Sequence, residues 1–234
     1  MENKKDKKRR LFFTSDLWLY RDNIIDIRKR NFKTVEGMDD TLIEKWNINV
    51  REDDVVFVLG NFVYDFSRYD MLLNMLRGIK VLLPTDFDKR CIIQNNDLLT
   101  SVLSSETGGM SNFGNLFESD YISYKAYESV GLTTSESMFA FLQKKIEDNN
   151  DDFLVLHNNI VEMPEYGIVL SHYPLLDWNG KEKGVVNLHG GTIPTPANLK
   201  NEKRFNVGVD FCGYAPVTYD NIMKIISKAK WYVY

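Results

Sequence analysis

Short apolar runs that each end in a polar or glycine-rich cluster recur along this chain, and they limit its fold more than any other feature. The clearest is Leu11-Phe12-Phe13, followed at once by Thr14-Ser15-Asp16. This is the pattern of a buried parallel strand that carries a carboxylate to its C-terminal end, where open α/β sheets place their ligands. Val55 to Leu59 repeats the pattern and ends in Gly60-Asn61, and Ile79 to Leu83 ends in Pro84-Thr85-Asp86-Phe87-Asp88. Tyr166 to Ser171 delivers His172, and Val185 to Leu188 delivers His189-Gly190-Gly191. Two further runs, Phe153 to Val161 and Phe205 to Phe211, also read as strands, so His157 reads as a strand histidine.

Helical spacing fills the intervals. A short helical piece is expected within Arg21 to Phe32, and Val35 to Val50 places Met38, Leu42, Ile43 and Trp46 on one face. Ser67 and Asp70 resemble a capping box ahead of Met71, Leu72, Met75 and Leu76, with Gly78 as the stop. Thr218 opens a last helix over Tyr219 to Lys230. Strand and helix alternation of this kind predicts the α/β class.

The 234 residues, 44% hydrophobic and 26% charged, suffice for one large core, so residues 11–234 are expected to form a single domain. Residues 1–10 read as a disordered basic leader. An insertion at about 94–152 is marked by Ser, Asn, Gly, Glu and Asp, with one helix over Thr134 to Glu147. A net charge of −4 argues against general nucleic-acid binding, which needs a basic face. Cys91 and Cys212 match no zinc or redox spacing and read as reduced thiols. No run approaches the ~20 apolar residues of a membrane span, and no signal-type segment follows the leader, so a cytoplasmic location is expected.

Taken together, the strand-end clusters resemble the motifs of the calcineurin-like metallophosphoesterases, particularly the small type common in bacteriophages and bacteria. That family carries D-x-H, G-D, G-N-H-D, a lone His after a strand, and G-H-x-H. The corresponding stretches here are Asp16-Leu17-Trp18, Gly60-Asn61, Thr85-Asp86-Phe87-Asp88, His172 in LSHYP, and Gly190-Gly191-Thr192-Ile193. Spacer text such as Ser171-His172-Tyr173-Pro174 and Asn206-Val207-Gly208-Val209-Asp210 extends the resemblance over nearly all of the chain outside the leader and the insertion. It implies a two-layered β-sandwich flanked by helices, and a phage-encoded member would work in the host cytoplasm.

The resemblance also implies two divalent metals that generate a hydroxide and clamp phosphoryl oxygens. Here only Asp16 and His172 keep ligand identity. Trp18 replaces a histidine, Asn61 the bridging aspartate, and Gly191 and Ile193 the last two histidines, while Asp86 stands where the family has asparagine. Phe87 replaces the histidine that would protonate the leaving group. Neutral Asn61 cannot bridge two dications, and Trp18 and Ile193 bring apolar bulk where a lone pair is needed. No cofactor is therefore expected, the most generous alternative being one weakly held divalent ion near Asp86 and His172. Convergence of Asp16, Asp86 and Asp88 on His172 would suit acid–base chemistry, but pairing with backbone amides or Lys89-Arg90 is the simpler expectation.

The expected function is that of a catalytically inactive metallophosphoesterase-like protein that binds a protein partner. A residual single-metal phosphoesterase and a nucleotide or phosphate binder without hydrolysis are the alternatives. Trp18, Tyr20, Phe87 and His189 are the candidate binding surface. Trp18 and Phe87 should either meet as an apolar plug of the old cleft or stay exposed as an anchor.

Overall fold

A computed structural model describes residues 9–94, 153–156, 160–191 and 203–228. Its strands are β1 (Leu11–Thr14), β2 (Val55–Val58), β3 (Ile79–Leu82), β4 (Phe153–Val155), β5 (Ile160–Met163), β6 (Ile168–Ser171), β7 (Val186–His189), β8 (Arg204–Asn206) and β9 (Val217–Thr218). One sheet has the order β4-β3-β2-β1-β9, parallel except for β9, and the other has the order β5-β6-β7-β8, parallel except for β5. The chain is thus mixed α/β with two mixed sheets. The run Phe153 to Val161, expected as one strand, is divided between β4 in the first sheet and β5 in the second. The strand expected over Phe205 to Phe211 ends at Asn206, and a single bridge from Gly208 to Ser15 joins the two regions beyond it.

Alternation along β1 explains how the layers form. Phe13 stacks on Phe57 at 5.5 Å between ring centres and shares an apolar cluster with Val81, Met163, Leu170 and Leu188, so the two sheets pack face to face. Phe12, one residue earlier, points to the opposite face with Val56, Val58 and Leu82. That face is covered by α2 (Val35–Asn49), through Met38, Leu42 and Trp46, and by α3 (Tyr69–Met75), through Tyr69 and Leu72. Thr34 caps α2 by accepting from the Gly37 amide at 3.1 Å. At the far end of the chain α5 (Tyr219–Lys228) sends Ile222 and Ile226 into the inter-sheet cluster, and the Thr218 hydroxyl accepts from the Asn221 amide.

Two local expectations are corrected. Ser67 lies in a 3₁₀ turn, Phe66–Arg68, and its hydroxyl donates to Asp65 at 2.6 Å, so it does not cap α3. Met71 and Met75 are exposed, leaving Leu72 and Leu76 as the buried stripe of that segment. Lys80, fully buried on β3, donates from Nζ to the Leu73 and Leu76 carbonyls and so satisfies the end of α3. Arg10, counted with the leader from sequence, is pinned by Asp54, whose Oδ1 accepts from both its amide and its Nε at 3.1 Å. The helix expected over 134–147, the rest of the insertion beyond residue 94, His157 and Ile193 lie outside the described residues. No described helix is long and apolar enough to cross a membrane.

Candidate functional site

Parallel strands of both sheets bring their C-terminal ends to one edge, where β1 supplies Asp16, β2 supplies Asn61, β6 supplies His172 and β7 supplies Gly190-Gly191. The backbone is contorted there. Asp16, Trp18, Tyr20 and Asn61 all have left-handed φ, between 54° and 63°. For residues with a Cβ this is strained, and such strain persists only where the surroundings over-determine it. The surroundings here are the bonds from the Asp16 amide to the Gly60 carbonyl and from the Trp18 amide to the Asn61 carbonyl. Gly190 is obligatory, because a Cβ would lie 1.9 Å from the Ser15 hydroxyl.

Three sequence-predicted residues form a bonded line. The Asn61 Nδ2 amide donates to Asp16 Oδ1 at 2.8 Å and faces His172 Nε2 at 3.2 Å. His172 Nδ1 lies 2.6 Å from the Leu59 carbonyl, which can only accept, so Nδ1 carries the proton and Nε2 the lone pair. That lone pair points at the Asn61 amide. The opposite amide orientation would set Asn61 Oδ1 against the Asp16 carboxylate, which fixes the assignment on electrostatic grounds.

Asp88 pairs with backbone amides, the simpler of its two expected arrangements. It is fully buried, and its carboxylate accepts from the amides of Asn61, Phe62 and Thr85 and from the Thr85 hydroxyl, at 2.6 to 3.1 Å. The Asp88 amide in turn donates to Thr85 Oγ1 at 3.2 Å. Thr85 and Asp88 are therefore a reciprocal capping box that opens α4 (Asp86–Gln94) and ties it to the Asn61 turn. Asp86 is exposed in the first turn of α4. The partners of His172 are Leu59 and Asn61, so the alternative in which Asp86 converges on His172 is not the arrangement found.

Two arginines that the sequence reading missed complete the site. Arg28, at the end of α1 (Ile24–Arg28), sets Nη2 2.9 Å from Asp16 Oδ2 and Nε 3.2 Å from Asp210 Oδ2. Arg30 sets Nε 2.7 Å from Asp210 Oδ1 and donates to the Asp16 and Leu17 carbonyls. Both guanidiniums are buried. Asp16 was expected to pair with backbone amides or Lys89-Arg90; it does accept the Gly191 amide, and its cation is Arg28. No motif signals Arg28 or Arg30, which reach the cleft only because Lys29 between them adopts φ 53° and turns the chain back.

This donor set does not fit a divalent-metal pair. Asp16 Oδ1 takes the Asn61 amide, Oδ2 takes both the Gly191 amide at 2.8 Å and Arg28, and the His172 lone pair takes the same Asn61 amide. Metal ligation would break the Asn61–His172 contact, compete with the bonds to Asp16 and bring a dication against a buried guanidinium. Among the described residues no three His, Cys, Asp or Glu side chains converge as a ligand group. His189 is buried, with Nδ1 3.0 Å from the Gly190 carbonyl, so it does not belong to a surface, and burial lowers its pKa from 6.5. Gly191 adopts φ 69° and hands its amide to Asp16.

At the rim Trp18 and Phe87 do meet, with ring centres 5.0 Å apart. Tyr64 stacks on Phe87 at 5.4 Å, and the Arg21 guanidinium lies over Trp18 at 4.4 Å and Tyr64 at 5.2 Å. Trp18 and Tyr20 are half-buried against the helix-side core, Phe87 is half-buried, and Tyr64, not foreseen from sequence, is exposed.

Fold and site together define a two-sheet α/β protein with a carboxylate–amide–imidazole line at the C-terminal strand ends. No family model matches the chain. It is 25% identical over 225 residues to the uncharacterized protein MJ1445 of Methanocaldococcus jannaschii, spanning 95% of this chain and 94% of that one. The crystal structure of the protein of unknown function AQ665 from Aquifex aeolicus is similar with a TM-score of 0.54 and 18% identity, over 93% of this chain and 100% of that one. The second likeness supports the α/β architecture and nothing finer.

Proposed function

We propose that this chain is a metallophosphoesterase-like scaffold without phosphoesterase activity, and that it works by binding a protein partner at the rim of the former cleft. One observation carries the reading: the Asp16 carboxylate, the ligand expected first, is held by Arg28, the Asn61 amide and the Gly191 amide. A carboxylate so held has both oxygens engaged and its charge offset by Arg28, which leaves it poorly suited to holding a metal that would generate or clamp a nucleophile, and Phe87 supplies no proton to a leaving group. The partner-facing part of the proposal draws on the rim, where Tyr64 and Arg21 present aromatic area and charge beside Trp18 and Phe87.

The test is hydrolysis of generic phosphomonoester and phosphodiester substrates with added Mn²⁺. Wild type should match a mock preparation. A rate that vanishes in an Asp16→Ala, His172→Ala double variant would refute the proposal, since contaminants would not respond. For the partner, Tyr64→Ala should leave the melting temperature nearly unchanged while weakening capture in a pull-down, and unchanged capture would move the surface elsewhere.

A further inference from the structure

Helix α5 has two distinct faces. Ile222 and Ile226 are buried in the inter-sheet cluster, whereas Asn221, Lys224, Ile225 and Lys228, at i, i+3, i+4 and i+7, form a second stripe that is exposed along its length. That stripe is one wall of a groove of about 400 Å³. The facing wall is made by Phe205 of β8, Val217 of β9, and Phe211 and Cys212 of the turn between them, all half-buried. Strand β8 ends the order of one sheet and β9 the order of the other, so the groove lies where an edge of each sheet comes to α5. It is separate from the cleft, because Asp210 turns toward Arg28 and Arg30 while the next two residues line the groove.

We infer that this groove binds a small amphiphilic anion, its apolar body against Phe205, Phe211 and Ile225 and its carboxylate between the Lys224 and Lys228 ammonium groups. Among the described residues the lining holds two cations and no carboxylate, and neither lysine makes an ion pair. Like charges four residues apart on one helix face repel, and an anion placed between them relieves that repulsion. Cys212 adds no opposing negative charge, since burial pushes its thiol up to about 12 and the thiol donates to the Asn206 carbonyl at 3.6 Å. The volume falls within the range of small-ligand sites, about 300–1,000 Å³, in which apolar walls hold the ligand and a few polar groups orient it. A cation of the same length would gain the apolar contact and meet two like charges, so the site discriminates by the sign of the head group.

The experiment titrates the full chain at neutral pH, by calorimetry, with decanoate and with decylammonium, each below the concentration at which it forms micelles. Wild type should bind one decanoate per chain with a Kd below about 1 mM, and decylammonium at least about tenfold more weakly. Lys224→Ala/Lys228→Ala should melt as wild type does, because both side chains are exposed, and should bind decanoate about tenfold more weakly. Ile225→Glu, a second exposed change, sets a like charge at the mouth of the groove and should weaken decanoate while leaving decylammonium no weaker. Equal binding of the two amphiphiles, decanoate binding that survives either variant unchanged, or no binding by wild type would overturn the inference.

Discussion

Asp39 is buried on α2 with one oxygen accepting from the Tyr20 amide at 3.1 Å, while Oδ1 meets no donor. Desolvation pushes its pKa from 3.8 up to about 7, against the opposing pull of the Tyr20 amide and Arg30, with Asp40 and Glu36 adding to the rise. Between those values the native protein holds a proton that the unfolded chain lacks, so stability should fall as pH climbs through this window. His189 works the other way, because burial lowers its pKa and the unfolded chain is the better base there. Comparison of wild type with Asp39→Asn therefore isolates the aspartate. The variant should lose the decline in urea midpoint between about pH 4 and about pH 7, and an unchanged decline would remove Asp39 as its source. Trp18 is the second test at this scale. It meets Phe87 but is only half-buried, so Trp18→Ala should destabilise by about 2–3 kcal/mol, less than a full core truncation. A variant as stable as wild type would show that the ring contributes no packing and acts only as an anchor.

Among the elements, α4 is the one whose start decides the shape of the cleft. The Asp88 carboxylate takes donors from its own cap and from the turn after β2, so Asp88→Asn should weaken helix and turn together, by about 2–4 kcal/mol in urea unfolding. A loss below about 1 kcal/mol would mean that the amides find other acceptors. The Thr85-x-x-Asp88 spacing is legible in the sequence as a cap, but the same four residues also resemble a phosphoesterase motif, and the two readings compete. Ser67 and Asp70 offered the same spacing without the bond from Ser67, which prefers Asp65. The run Phe153 to Val161 gave no sign of its division between two sheets, since periodicity reports strand character but not pairing.

Across the whole molecule, the strand ends that gather Asp16, Asn61 and His172 were readable from apolar runs followed by polar clusters. The groups that neutralise them were not. Arg28 ends a five-residue helix and Arg30 follows it, neither carries a periodic signal, and they become buried only through tertiary folding. Asp210 was visible only as spacer text, although it anchors both guanidiniums. Charge balance in a buried cleft depends on which distant residues meet, and local patterns do not encode that. The central claim is that an arginine and two amides, in place of metals, hold the cleft carboxylate. The most direct measurement is the metal content per chain of wild-type protein, purified without chelators, equilibrated with Mn²⁺ and then freed of unbound ion. The account predicts far less than one metal per chain; one or two tightly held metals per chain would contradict it.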